Sequence, residues 1–113
     1  MSSQSPDKSI IPGIPLKKDA FVIIIKTEWN SSISNELEKG CVRILDEYGI
    51  HYASLNVPGA FEIPFSIKKY WEVNQSKLNS KPDAFIALGC VLRGDTPHFD
   101  YVCKAVTDGI LQL

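Results

Sequence analysis

Two stretches of the chain are continuously apolar, which is typical of strands that are buried on both faces of a parallel sheet. They run from Ala20 to Lys26, where β-branched residues dominate, and from Ala84 to Leu92. A further strand is predicted between them, from Ile50 to Val57. The pattern therefore predicts three strands.

A helix is predicted after the first strand. Asn30, Ser31 and Ser32 each offer a side-chain oxygen to an N-cap, and Gly49 supplies a stop. Apolar positions recur at helical spacing between these signals, at Ile33, Leu37, Cys41, Ile44, Leu45 and Tyr48.

A second helix is predicted from Ala60 to Val73, after a turn at Pro58-Gly59. Pro64 fits this helix because proline is tolerated in a first helical turn.

The third predicted helix opens within CVLRGDTPHFDY, at residues 90 to 101. Thr96 has the residue type of an N-cap and Pro97 that of the first helical position, so His98 falls at the second position. An apolar stripe at helical spacing follows, at Phe99, Val102, Val106, Ile110 and Leu113.

Strand and helix thus alternate three times, which predicts an α/β fold with a parallel sheet covered by helices. Residues 1–19 carry three prolines and no period, and we expect an extended arm that could lie across a neighbouring subunit. Residues 20–113 form the expected domain. GILQL ends the chain inside an apolar helical period, and only three strands are predicted. Either partners complete the sheet or the chain is truncated at the C-terminus, and we expect truncation.

Composition narrows the classes of function. The net charge of −1 and the lack of a Lys/Arg cluster give no reason to expect nucleic acid. The longest apolar run is too short to cross a bilayer, and no signal-peptide pattern opens the chain, so we expect a cytoplasmic protein. The three cysteines are odd in number and lack CxxC spacing, which favours small buried hydrophobes over redox or metal roles.

Candidate chemistry follows each of the three strands, where ligands of open parallel sheets bind. The segments are 27–30, 58–62 and 90–98. They suggest a flat ring stacked on Trp29, polar groups bound by Glu62, and an anion near Thr96 and the free amides of the third helix. Each residue alone also suits a structural role, as a helix staple, a helix-dipole partner or a surface side chain. Their occurrence at one sheet edge favours the functional interpretation.

His98 is the candidate for proton transfer. The positive end of a helix disfavours a protonated histidine, so the imidazole would be available as a neutral base near neutral pH. A nucleophilic pair with Cys90 is disfavoured by the expected place of Cys90 in the last turn of a buried strand. Neither GxGxxG nor GxxxxGK[ST] occurs, so no dinucleotide fingerprint or P-loop is present.

Two motifs strongly resemble the lumazine synthase family of riboflavin biosynthesis. They are NVPGAFEIP at 56–64 and ALGCVLRGDTPHFDYV at 87–102, and TEWN at 27–30 is similar to the family's first substrate-contacting loop. The resemblance implies a three-layer, flavodoxin-like subunit, of which this chain lacks the last strand and helices.

The resemblance also implies a reaction. The family condenses 5-amino-6-ribitylamino-uracil with 3,4-dihydroxy-2-butanone 4-phosphate to give 6,7-dimethyl-8-ribityllumazine, phosphate and water, with no metal or organic cofactor. Implied partners are the two substrates, further copies in a homopentamer or an icosahedral 60-mer, and riboflavin synthase. The alternative is a non-catalytic relative that binds lumazine or flavin, or that forms shells.

Carried over by the resemblance, the substrate-binding residues are Trp29, Ala60, Phe61, Glu62, Cys90, Val91, Leu92, Asp95 and Thr96. Trp29 stacks on the pyrimidine and Glu62 holds ribityl hydroxyls, while Cys90, Val91 and Leu92 line the heterocycle. Asp95, through its backbone amide, and Thr96 meet the butanone phosphate, and His98 donates and accepts protons.

Overall fold

The computed structural model describes residues 19–94 and 98–113. In these ranges three parallel strands form one sheet in the order β2-β1-β3. The strands are β1 (Phe21–Thr27), β2 (His51–Val57) and β3 (Ala84–Leu88). Three helices alternate with them: α1 (Ser31–Glu47), α2 (Ile63–Asn74) and α3 (His98–Leu111). The predicted α/β fold is confirmed.

Helices cover both faces of the central strand. Lys26 of β1 contacts α1 through Asn35 and Glu38, whereas Ile25 packs in a core cluster with Ile63 of α2. Because successive side chains of a strand point to opposite faces, α1 and α2 lie on opposite sides of the sheet. The side chains of Ile23, Ile24 and Ile25 are accordingly 0% exposed.

The start of α1 differs from the predicted side-chain cap. Asn30 occupies the N-cap position with φ 59°, a left-handed conformation, and its side chain makes no cap hydrogen bond. The Ser34 hydroxyl instead donates to the carbonyl of Thr27 at 2.7 Å and ties the first turn of α1 to the end of β1. The predicted stop is found, since the chain leaves α1 through Gly49 at φ 66°.

The second helix begins as predicted, with one refinement. Ala60–Glu62 forms a single 3₁₀ turn that leads directly into α2. Pro64 lies in the first turn of α2, where its missing N–H removes no helical hydrogen bond.

The third strand is shorter and less buried than predicted. It ends at Leu88, so Cys90, Val91 and Leu92 lie outside the sheet. Leu88 pairs with Lys26, and the chain of β1 turns away after Thr27, so the ladder has no partner strand beyond this point. The prediction of burial on both faces was wrong, because β3 is an edge strand in the described ranges.

The third helix packs against the start of α2. A Cβ placed on Gly109 would lie 2.8 Å from Cγ of Pro64, so the two helices approach closely there.

The predicted cap residues Thr96 and Pro97 lie outside the described residues, as does the predicted arm up to residue 18. In the ranges that the structure describes, no helix combines the length and apolar character needed to cross a membrane.

Candidate functional site

A cleft of about 640 Å³ opens at the carboxyl edge of the sheet. Four parts of the chain line it, and three of them follow strands, as the rule for open parallel sheets requires. The lining residues are Trp29, Pro58, Gly59, Ala60, Phe61, Glu62, Cys90, Val91, Leu92, His98, Tyr101 and Val102.

Backbone hydrogen bonds hold the first lining segment to the second. The N–H of Glu28 donates to the carbonyl of Val57 at 2.8 Å, and the N–H of Trp29 donates to that of Pro58 at 3.0 Å. These bonds fix the backbone of Trp29, while its side chain stays 71% exposed. A large aromatic face is therefore presented at the cleft.

Glu62 is held by a reciprocal pair of hydrogen bonds with Gly59. Its Oε1 accepts from the N–H of Gly59 at 2.8 Å, and its own N–H donates to the Gly59 carbonyl at 3.1 Å. Among the described residues its other oxygen, Oε2, makes no hydrogen bond. The half-buried carboxylate thus combines a structural contact with one oxygen that a ligand could use.

Two neighbours of Glu62 differ in exposure. Ala60 is buried against the core, whereas the ring of Phe61 is 62% exposed. The 3₁₀ turn therefore offers the cleft both a closely packed residue, Ala60, and an exposed aromatic ring, Phe61.

Close packing at Gly89 brings the third segment alongside this turn. A Cβ on Gly89 would meet Cδ1 of Ile63 at 3.1 Å and Cβ of Ala60 at 3.5 Å. The absence of a side chain lets the chain after β3 pass close to Ala60. Cys90 and Val91 are half-buried and Leu92 is 58% exposed.

The fourth part of the lining comes from the first turn of α3. His98 is the first described residue of the helix, and Tyr101 and Val102 follow one turn later on the same side. Tyr101 is 71% exposed. The prediction that His98 occupies the second helical position depends on Thr96 and Pro97. Both lie outside the described residues, so it stays a prediction.

Eight of the ten predicted site residues line this one cleft. Asp95 and Thr96 lie outside the described residues, and the roles of all ten stay predictions. Sequence reasoning missed Tyr101 as a lining residue, although its spacing of three from His98 on a helix was a usable signal. It placed Pro58 and Gly59 in the candidate segment 58–62 but gave them no individual role in binding.

Most lining residues are apolar or aromatic, while Glu62 contributes a carboxylate and His98 an imidazole. Such a cleft suits a flat ring that carries hydroxyl groups and a reaction that moves protons. Within 19–94 and 98–113, no three His, Cys, Asp or Glu side chains cluster in a way that could hold a metal ion.

The three cysteines are free and half-buried. Burial raises the pKa of the Cys41 thiol, and the nearby Glu38 charge adds to this effect, so this thiol is protonated at neutral pH. Cys90 lies after the strand rather than in its last turn, which corrects the reason given above for disfavouring it as a nucleophile.

The fold and the cleft define an α/β domain of the class that binds ligands beyond the carboxyl ends of parallel strands. A family model described as 6,7-dimethyl-8-ribityllumazine synthase matches residues 19–113. The chain belongs to this family.

Curated relatives named 6,7-dimethyl-8-ribityllumazine synthase are similar over most of the chain. One from Parabacteroides distasonis is 40% identical over 103 residues, covering 88% of this chain and 61% of the relative. One from Porphyromonas gingivalis is 42% identical, covering 88% and 60%, and one from Bacteroides fragilis is 44% identical, covering 80% and 61%. The chain spans about three fifths of the length of these relatives.

Proposed function

We propose that the protein condenses 5-amino-6-ribitylamino-uracil with 3,4-dihydroxy-2-butanone 4-phosphate to form 6,7-dimethyl-8-ribityllumazine, the penultimate step of riboflavin biosynthesis. The observation that carries the proposal is the single cleft at the sheet edge, lined by eight of the ten residues that the family resemblance assigns to the site. The relatives that carry the synthase name support the same reaction. They give no support to a non-catalytic alternative.

Trp29 and Glu62 would bind the ribitylaminouracil. The exposed indole of Trp29 offers a face on which the pyrimidine can stack. Oε2 of Glu62 would accept hydrogen bonds from ribityl hydroxyl groups, because Oε1 is already used by the Gly59 amide. Ala60 and Phe61 would complete the contact with the pyrimidine.

Cys90, Val91 and Leu92 would line the heterocycle through backbone groups and side chains. The backbone of this segment leaves the sheet at Leu88, so its amides and carbonyls are not committed to a strand ladder. Asp95, through its amide, and Thr96 would bind the butanone phosphate; both lie outside the described residues.

His98 would move protons. Imine formation, loss of phosphate and ring closure require positioned reactants and proton transfers rather than a strong nucleophile. A histidine at the opening of a helix, on the wall of the same cleft, is suitably placed for this role.

The mode of assembly belongs to the same proposal. We propose assembly as a homopentamer, or as an icosahedral 60-mer built from pentamers, with riboflavin synthase as a further partner. The cytoplasmic location stays a prediction, as does the division into an arm at 1–19 and a domain at 20–113.

The test is to mix both substrates with the purified chain, and with a version extended to the length of its relatives. The lumazine chromophore should appear faster than in the spontaneous background reaction. A His98→Ala variant should be slower without being inactive, because binding would survive. His51→Ala is the matched control, since exposed His51 begins β2 at the opposite end of the sheet. Absence of any rate above background in both forms would refute the proposal.

A further inference from the structure

Arg93 joins the segment after β3 to the first turn of α3. Its guanidinium carbon lies 4.4 Å from the centroid of the Phe99 ring. Its Nη2 lies 3.7 Å from Oδ1 of Asp100. One side chain thus makes two contacts with consecutive residues of the helix.

These contacts link two walls of the cleft. Leu92, which precedes Arg93, and His98, which precedes Phe99, both line it, whereas Arg93 does not. The side chain therefore acts between the walls from outside the cleft. A change in its contacts would alter the place of His98 relative to Leu92.

The ion pair alone is too weak to fix a helix terminus. Both side chains are about 70% exposed, at 70% for Arg93 and 68% for Asp100, and the pair is long, so solvent screens it strongly. The planar guanidinium of Arg93 also lies over the face of the Phe99 ring, and this cation–π contact adds to the ion pair with Asp100. Lys104 and Asp108, further along α3, form an exposed pair at 3.1 Å, and in the part of the chain that the structure describes no aromatic ring joins this pair.

We propose that Arg93 is a positioning residue, which holds the first turn of α3 against the segment after β3 and so fixes His98 on the wall of the cleft. Its effect on catalysis rests on the function proposed above, whereas the positioning itself does not depend on that function.

Hydrogen exchange of the purified chain tests the positioning. The amide of Val102 lies four residues after His98, so in α3 it bonds back to the His98 carbonyl. Arg93→Met should speed hydrogen exchange at the Val102 amide about two- to fivefold, which corresponds to the loss of an exposed cation–π contact. The amide of Val106, one turn later, should exchange as in the parent protein.

Three further variants sharpen the test. Phe99→Leu keeps the Arg93 charge but removes the ring, and it should speed exchange at Val102 in the same way even if Arg93→Met does not fold. Arg93→Lys keeps the charge and part of the ring contact, and it should restore at least half of the lost protection. Lys104→Met is the matched control and should leave Val102 unchanged.

Two outcomes would overturn the proposal. One is unchanged exchange at Val102 in both Arg93→Met and Phe99→Leu. The other is equal acceleration at Val102 and Val106, which would indicate general loosening of the helix.

Kinetics then separate the positioning from the proposed function. If the condensation is catalysed, Arg93→Met should lower kcat about two- to fivefold with KM unchanged, and Arg93→Lys should recover most of the rate. If no form is active but Val102 responds as expected, the proposed function fails and the positioning stands.

Discussion

The carboxylate of Glu62 and the amide of Gly59 are joined at 2.8 Å across the turn that opens α2. This bond means that the residue best suited to bind ligand hydroxyls also stabilises the start of a helix. A substitution that removes the carboxyl group would therefore affect both stability and binding.

Glu62→Gln should separate the two effects. The glutamine keeps an oxygen that can accept from Gly59, so the free energy of unfolding should change by less than about 0.5 kcal/mol, whereas Glu62→Ala should cost about 0.5–2 kcal/mol. Affinity for ribitylaminouracil should fall about tenfold in both variants, since a hydrogen bond to a charged group is lost. Denaturant unfolding and ligand titration measure the two quantities. Unchanged affinity in Glu62→Gln would remove the carboxylate from the ligand site.

The indole of Trp29 should report ligand binding directly. The chain has two tryptophans, and only Trp29 borders the cleft, while Trp71 lies on α2. Ribitylaminouracil should quench fluorescence in the parent and in Trp71→Phe, but much less in Trp29→Phe. Trp29→Ala should weaken binding about fivefold or more, because a base–aromatic stack contributes about 1–3 kcal/mol. Equal quenching in both Phe variants would contradict a stack on Trp29.

Glu38 should make stability depend on pH. Hydrogen bonds from Lys26 and from Ser54 lower the pKa of its carboxyl below the ordinary value of 4.5. The bonds are 2.8 Å to Lys26 Nζ and 2.6 Å to Ser54 Oγ, and they join α1 to β1 and β2. Because the folded-state pKa is the lower one, the stabilisation is present above pH 4.5 and is lost as the pH falls through the folded-state value.

The comparison to make is Glu38→Gln against the parent. Its free energy of unfolding at pH 7 should be lower by about 1 kcal/mol, and the difference should shrink as the pH approaches 3. Glu36→Gln is the control, because the pair of Glu36 with Lys39 is highly exposed. A difference that stays constant between pH 7 and 3 would count against the Glu38 network.

Gly109 and Gly40 should respond in opposite ways to alanine. A Cβ at Gly109 would overlap Pro64, with its Cβ and Cγ at 2.9 and 2.8 Å, while one at Gly40 has nothing within 4 Å. Gly109→Ala should destabilise by about 1–3 kcal/mol because α3 must move away from α2. Gly40 lies inside α1, and alanine loses less conformational entropy than glycine when a helix forms. Gly40→Ala should therefore stabilise the protein by about 0.5–1 kcal/mol. Thermal or denaturant unfolding of both variants decides, and equal shifts would refute the close approach of the two helices.

The strand–helix order was predictable because each element carries its own apolar period and its own stop signal. The end of β3 was not. Leu88 and Val91 are equally apolar in the sequence, yet Leu88 pairs with Lys26 and Val91 lines a cleft. Only the length of the neighbouring strand distinguishes the two environments, and that is a tertiary property.

Residue type also misled at Asn30. It suits a side-chain cap, but the structure uses its tolerance of the left-handed region instead. The contacts of Arg93 with Phe99 and Asp100 were likewise not predictable, because they depend on the path of the chain between residues that are six and seven positions apart.

Hydrogen bonds anchor the loop between β1 and α1, which carries Trp29. The Ser34 hydroxyl donates to the Thr27 carbonyl, and the amides of Glu28 and Trp29 donate to carbonyls at and just after the end of β2. Only the two torsions of the indole side chain then remain to be adjusted when a ring arrives. Binding should therefore cost little loop entropy. Selectivity at Trp29 should depend on the thickness and tilt of the ligand's ring rather than on closure of the loop.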